Sequence, residues 1–397
     1  MKKFFVVLLT LALVAGGVSA QTTVSGGVGY KWTVVEGSSE ENSDLKTGYG
    51  VVSPQITLTA SNEEKTFGGR LRLGAQQDWG AGHYAYAWWK PLDFLRLKFG
   101  VDGDGEWGRT DIVAWGFHAG AQDYVAGDPA NKYYDGVFDK PFFGGFGGFG
   151  LWTSFTLIPN LAVNLAAPYP DSTLGPNATT AASASGIAKD IYNQIKLNIT
   201  YAFSGAGTLS LAYESDSGKP DHTGKISASF LVTAISGIQI NAGAKYTLPA
   251  EQTTGGVKTV SNYPVALGLG FTYSDGGDFG VKARLASEFA GSTKTGGTDP
   301  VETPFTLSFA VMPYYNLGIF TAYLNLGLDA LTGAKKNGED LHFGWYVNPY
   351  LVKTIGPGTI YAGFQLKGDP KKKTGSTTEY DGFTITWAVP AGISYSF

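Results

Sequence analysis

The sequence contains no cysteine. A disulfide framework and a thiolate metal site are therefore both excluded. Past its first residues it also has no run of roughly 18 uninterrupted apolar side chains, the minimum for a helix that threads a bilayer. Helical membrane proteins are ruled out. Charge is scarce as well, with 16% of residues charged and 29 Lys and Arg set against 33 Asp and Glu. That balance leaves no basic face for nucleic acid, and no nucleic-acid partner is expected. The four histidines, His83, His118, His222 and His342, stand at no metal-ligand spacing. Asp102-Gly-Asp-Gly-Glu106 resembles half a calcium loop, but Trp107 occupies the place where glycine must turn the chain. Gly145, Gly147 and Gly150 fit Gly-x-Gly-x-x-Gly, yet no alternating strand and helix surrounds them and Pro159 limits any helix that follows. With no Gly-x-Ser-x-Gly element either, neither a cofactor nor an enzymatic activity is expected.

What is abundant points to strands. The chain has 56 Gly and 14% aromatic residues, together with many Thr and Ser, and this composition favours strands and tight turns over helices. Residues 1–20 read as a separate object. Lys2 and Lys3 precede a short apolar run, and Val18-Ser19-Ala20 offers the small residues of a cleavage site, so a cleaved signal peptide is expected over 1–20. Residues 21–397 are then one domain.

Period-two alternation runs through the second half. Ile195, Leu197, Ile199, Tyr201 and Phe203 interleave with Lys196, Asn198 and Thr200. The same rule holds for Ile226 to Val232, Ile238 to Tyr246, Val265 to Tyr273, Phe279 to Leu285, Phe305 to Val311, and Phe383 into the last residue. Joins between these segments alternate in length. Ser204-Gly-Ala-Gly207, Ser236-Gly237, Ser274 to Asp278, Tyr315-Asn316 and Ile355 to Gly358 are tight, whereas the intervening ones are long and polar. Short turns at one end and long loops at the other predict an all-β, transmembrane, antiparallel up-and-down β-barrel with short periplasmic turns and long extracellular loops. Five strands before Asp102 and twelve after Gly148, with one more at 111–118, make about 18; a further strand pair including 131–138 raises the count to 20, within a range of about 16–20.

Aromatics gather where such a barrel meets the two membrane surfaces. Tyr201, Phe203, Phe271, Tyr273, Phe279 and Tyr395 sit beside short turns or the terminus; Tyr213, Tyr246, Phe289, Phe305 and Phe383 sit beside long loops. From Phe279 to Phe289 the strand climbs roughly 23 Å at 45° tilt, the depth of a hydrocarbon layer.

The last strand, ending Ile393-Ser-Tyr395-Ser-Phe397, resembles the C-terminal signature of bacterial outer-membrane β-barrel proteins of the porin superfamily. Pro91 and Pro159, each between two alternating runs, add a resemblance to spirochaete outer-membrane proteins. The first resemblance implies a bacterial outer-membrane location, contact with outer-membrane lipid, an assembly machinery that reads Tyr395 and Phe397, and a homotrimer.

Strand parity assigns the inner wall. With Leu71, Leu73, Leu95, Leu97 and Phe99 outward, Arg70, Arg72, Arg96 and Lys98 point into the lumen, and Lys196, Lys225, Lys245, Lys282, Arg284 and Lys367 follow the same rule. Glu214 and Glu288 are the clear acidic counterparts. A basic lining raises the local concentration of anions, so the expected function is an outer-membrane porin, a passive channel for small hydrophilic solutes with modest anion preference. Phe142, Phe143, Phe146 and Phe149 break the alternation and are a candidate constriction, the other reading being an ordinary loop or strand end. A solute-specific channel for a sugar or organic acid, a plugged structural or adhesin barrel, and a secreted lectin-like protein remain open alternatives.

Overall fold

The computed structural model describes residues 21–40, 44–76, 78–102, 148–168, 195–215, 224–248, 250–254, 257–262, 265–289, 291–296, 301–302, 305–333 and 341–396. The proposed leader at 1–20 and the segments at 111–118 and 131–138 lie outside them. Among the described residues no helix is long and apolar enough to cross a membrane, which leaves any crossing to strands.

Five strands come first: β1 (Gln21–Ser38), β2 (Lys46–Ser61), β3 (Phe67–Gln76), β4 (Asp78–Leu92) and β5 (Leu95–Asp102). They are followed by β6 (Gly148–Phe155), β7 (Leu161–Pro168), β8 (Lys196–Phe203), β9 (Gly207–Ser215), β10 (Gly224–Val232) and β11 (Ile238–Thr247). Next come β12 (Ala250–Thr254), β13 (Val257–Asn262), β14 (Val265–Ser274), β15 (Phe279–Phe289), β16 (Ser292–Thr295) and β17 (Val301–Glu302). The chain ends with β18 (Phe305–Asn316), β19 (Thr321–Gly333), β20 (His342–Ile355), β21 (Gly358–Gly363), β22 (Gln365–Lys372) and β23 (Tyr380–Ser396).

Each barrel strand pairs antiparallel with the next, with β11 joined to β14 and β15 to β18. β21 and β22 are two halves of one stave, since both pair with β20 and with β23. β23 then pairs with β1 from Gly27 opposite Ser396 to Ser38 opposite Thr386, which closes an 18-strand barrel. No open edge remains on the cylinder, as a bilayer requires.

The strand number agrees with the sequence, but the tally by halves is corrected. β5 pairs directly with β6, Lys98 opposite Trp152, so no barrel strand lies between them. The second half supplies one more stave than alternation indicates, because β20 carries aromatic residues on both faces and its neighbour is broken. That break falls at Phe364, whose N–H donates to the Pro349 carbonyl at 2.9 Å. Pro349 in β20 and Pro390 in β23 flank it, and a bulge is where a ladder tolerates residues without an N–H.

The short joins lie at one end with both chain ends. Asn62 Oδ1 accepts from the N–H groups of Thr66 and Phe67, each at 2.9 Å, and Asp275 Oδ1 accepts from Gly277 N–H at 2.8 Å. The turn expected at Tyr315-Asn316 falls slightly later, after β18, where Asn316 Oδ1 accepts from the N–H of Gly318 at 2.9 Å and Gly318 takes a φ of 80°. At the opposite end one hairpin departs from the long-loop expectation, because only Gln77 separates β3 from β4. There too, the β11–β14 and β15–β18 connections carry β12, β13, β16 and β17, which form a separate four-stranded sheet.

Alternation sorts the side chains as parity requires. Leu267, Leu285, Phe309 and Ile393 are each about 40% exposed on the outer face, whereas their chain neighbours Ala266, Arg284, Ser308 and Gly392 are buried on the inner one. An apolar exterior around a polar interior is the inverse of a soluble fold.

Candidate lumenal wall

The inner face of β3 to β6 gathers the basic residues expected there, though not as neighbours. Between Arg70 and Arg72 on β3 and Arg96 and Lys98 on β5 runs β4, which contributes Tyr86 and Trp88. Arg70 pairs with Tyr86, Trp88 with Lys98, and Lys98 with Trp152. Cations and rings thus alternate across the wall. The Lys98 ammonium stands 4.4 Å from the centre of the Tyr86 ring and 5.5 Å from that of Trp152, and the Arg96 guanidinium lies 4.9 Å over Trp88. Such contacts stabilise a cation by about 0.5–2 kcal/mol, more as water is removed. Lys98 has no exposed surface, while Arg70, Arg72 and Arg96 are partly exposed. Arg72 Nε also donates to Thr57 Oγ1 at 3.4 Å.

A second basic stretch spans β8 to β11. Lys196 Nζ meets Glu214 Oε1 at 2.7 Å, and Lys225 is the residue opposite Glu214 on the other side. Lys245 follows on β11, opposite Ser227 and Ala266. Lys282 and Arg284 occupy β15, with Arg284 buried opposite Gly270 and Ala310. Glu288 stands on the same strand, opposite Ala266 and Thr306. Lys367 pairs with Asp369 at 3.5 Å.

Of the candidate constriction, Phe142, Phe143 and Phe146 lie outside the described residues. Phe149 belongs to β6, opposite Val101, and is thus part of the wall strand. Tyr395 is exposed on the outer face of β23, opposite Val28 and Gly358, and Phe397 lies outside the described residues.

Two further features line the inner face. One is a tyrosine cluster: Tyr323 stacks on Tyr350 with ring centres 4.8 Å apart, Tyr350 donates its hydroxyl to Met312 Sδ at 3.1 Å, and Tyr346 packs beside them. The other is a set of buried asparagines, in which Asn164 Nδ2 donates to Asn198 Oδ1 at 3.2 Å and Asn325 faces Asn348. Alternation had already put Asn198 on the polar face of β8, and parity applied to β19 and β20 would have added Tyr323, Asn325, Tyr346, Asn348 and Tyr350, had the apolar character of both faces of β20 not hidden its alternation.

No family model and no curated protein matches this sequence. Among solved structures it is similar to the anion-selective porin from Comamonas acidovorans, with a TM-score of 0.51 at 12% identity over 96% of this chain and 100% of that one. It is also similar to OccK11 (OpdR) of Pseudomonas aeruginosa, with a TM-score of 0.49 at 11% identity over 95% of this chain and 96% of that one. At such identity the first likeness is one of fold.

Proposed function

We propose that this chain, whose fold is that of the bacterial outer-membrane porins, is itself a porin of a bacterial outer membrane: a passive diffusion channel for small hydrophilic solutes with a modest preference for anions. The supporting observation is the two-sided wall, apolar outside and set with Arg70, Arg72, Arg96, Lys196, Lys225, Lys245, Lys282 and Arg284 inside. Such a wall needs no chemistry. Solute follows its gradient, and fixed cations enrich anions within about a Debye length, near 8 Å at physiological salt. Carboxylates temper the effect where Glu214 meets Lys196 and Asp369 meets Lys367.

Planar-bilayer recording of the purified protein tests this. Stable conductance with a reversal potential displaced toward the anion in a salt gradient is the expected result; negligible conductance would support a plugged barrel, and cation preference would refute the basic wall. Saturable block by one sugar or organic acid would favour the solute-specific reading, to which the rings of Tyr86, Trp88 and Trp152 lend support. The homotrimer is read from the porin resemblance, and its mass in detergent by light scattering tests it.

A further inference from the structure

On the inner face of β18 to β20 three tyrosines stand in one row, Tyr314 opposite Tyr323 and Tyr323 opposite Tyr350. The centres of successive rings are 5.6 Å and 4.8 Å apart. Tyr350 is buried, while Tyr323 and Tyr314 stay partly exposed. The row ends on Tyr314, whose ring lies across the bare backbone of Gly280 on β15 so closely that a methyl group there would overlap it. A ring resting on glycine keeps its opposite face for the lumen. Tyr346, Tyr361 and Trp88 also lie over inner-face glycines, but those three are buried, and Tyr314 is the partly exposed member of the set.

A polar row runs beside it on the same face. Lys282 stands two residues beyond Gly280 on β15, Thr272 is opposite Lys282 on β14, and Gln239 is opposite Thr272 on β11. Directly opposed residues lie about 5 Å apart and same-face neighbours along a strand about 7 Å, so an ammonium, a hydroxyl and a carboxamide come within reach of one small molecule seated on Tyr314. All three are partly exposed, and among the described residues none of them forms a side-chain hydrogen bond or ion pair. Elsewhere on the wall Lys196 is tied to Glu214 and Lys367 to Asp369. Here donors and acceptors stand open beside an aromatic face.

Each part selects a feature of the occupant. The electron-rich face of a phenol attracts the weakly positive C–H groups on one side of a sugar ring. Gln239 and Thr272 both donate and accept, which matches hydroxyls on that ring. Lys282 only donates and carries charge, so it takes an anionic group. We propose that this patch is a binding subsite for an acidic monosaccharide, a pyranose bearing one carboxylate or phosphate, with its ring on Tyr314, its hydroxyls on Gln239 and Thr272 and its anionic group on Lys282. Ser274, opposite Gly280, ends β14, so the subsite lies beside the short-turn end of the lumen. The inference rests on the channel reading above and adds selection among anions, which wall charge alone does not give.

Single-channel recording of the purified full chain in symmetric salt, with D-glucuronate, glucose 6-phosphate, glucose or acetate added, tests it. Glucuronate or glucose 6-phosphate is expected to interrupt the current saturably, and the stronger of the two identifies the anionic group. Glucose lacks the charge and acetate the ring, so each is expected to bind at least about tenfold more weakly. Lys282→Gln and Tyr314→Ala are each expected to weaken the block about tenfold, and Tyr314→Phe, which keeps the ring, to leave it within about twofold of wild type. An open channel that neither acidic sugar blocks, or that glucose or acetate blocks as strongly, overturns the subsite and leaves the porin reading standing; so does an unchanged block in Lys282→Gln or in Tyr314→Ala. A protein without conductance overturns both. If Tyr314→Ala does not fold, as seen by its mobility on an unheated gel, Lys282→Gln and Gln239→Leu carry the test, and an unchanged block in either is a failure.

Discussion

Tyr346 lies across Gly327 of the neighbouring strand so closely that a methyl group on the glycine would overlap the phenol ring. The same relationship joins Tyr361 to Gly392 and Trp88 to Gly68, in each case between residues directly paired across two strands. A glycine in a strand normally weakens it, and a ring laid over the bare backbone restores the lost contact.

Gly327→Val is accordingly expected to destabilise the barrel by about 1–3 kcal/mol, the usual cost of overpacking a tight site. The midpoint of urea unfolding in lipid vesicles, followed by tryptophan fluorescence, measures it. Adding Tyr346→Ala should recover part of that loss. No coupling between the two changes would mean that the pair does not act as a unit.

Asn198 is fully buried, and besides accepting from Asn164 it donates from Nδ2 to the Leu211 carbonyl at 3.3 Å. Asn198→Leu strands a buried amide on one side and a carbonyl on the other, at about 1–3 kcal/mol. The same unfolding measurement applies, and a shift within error would show that water replaces the lost partners.

Glu214→Gln removes the carboxylate held against Lys196. In a salt gradient the reversal potential of this variant is expected to move further toward the anion than that of wild type, and that of Arg96→Gln to move the other way. Both changes leave side-chain volume nearly intact or reduce it, so single-channel conductance in symmetric salt separates a change of charge from a change of bore. Identical reversal potentials in all three proteins would remove these residues from the selectivity argument.

The outer face makes the reverse demand. Leu267→Arg places a cation in the apolar belt, where the cost near the midplane is about 2–4 kcal/mol. Reduced yield of folded barrel in vesicles, read from the heat-modified gel band, is the expected outcome. Full recovery of folded protein would show that Leu267 does not face hydrocarbon.

Strand parity made most of this architecture readable beforehand. The nine residues from Ile195 to Phe203 alternate because one face meets an apolar surface and the other a polar interior, and β8 occupies nearly the same span. Register was less accessible: nothing local reveals that Lys98 ends up between the rings of Tyr86 and Trp152. Those relations arise between strands, and a single sequence encodes them only through the joins that set each hairpin. The tyrosine cluster on β18 to β20 stayed hidden for a different reason. Trp345 and Tyr346 are both aromatic although they face opposite ways, so hydropathy alone does not separate the faces.

The small sheet at the long-loop end ties two hairpins together, through Thr259 opposite Thr295 and Asn262 opposite Ser292. A one-residue insertion in either would slide its whole set of side chains past the other and turn each to the opposite side. Substitutions that keep the length preserve this register, but changes of length are coupled. Descendants of this gene should lengthen or shorten the two connections in concert, or lose the sheet altogether.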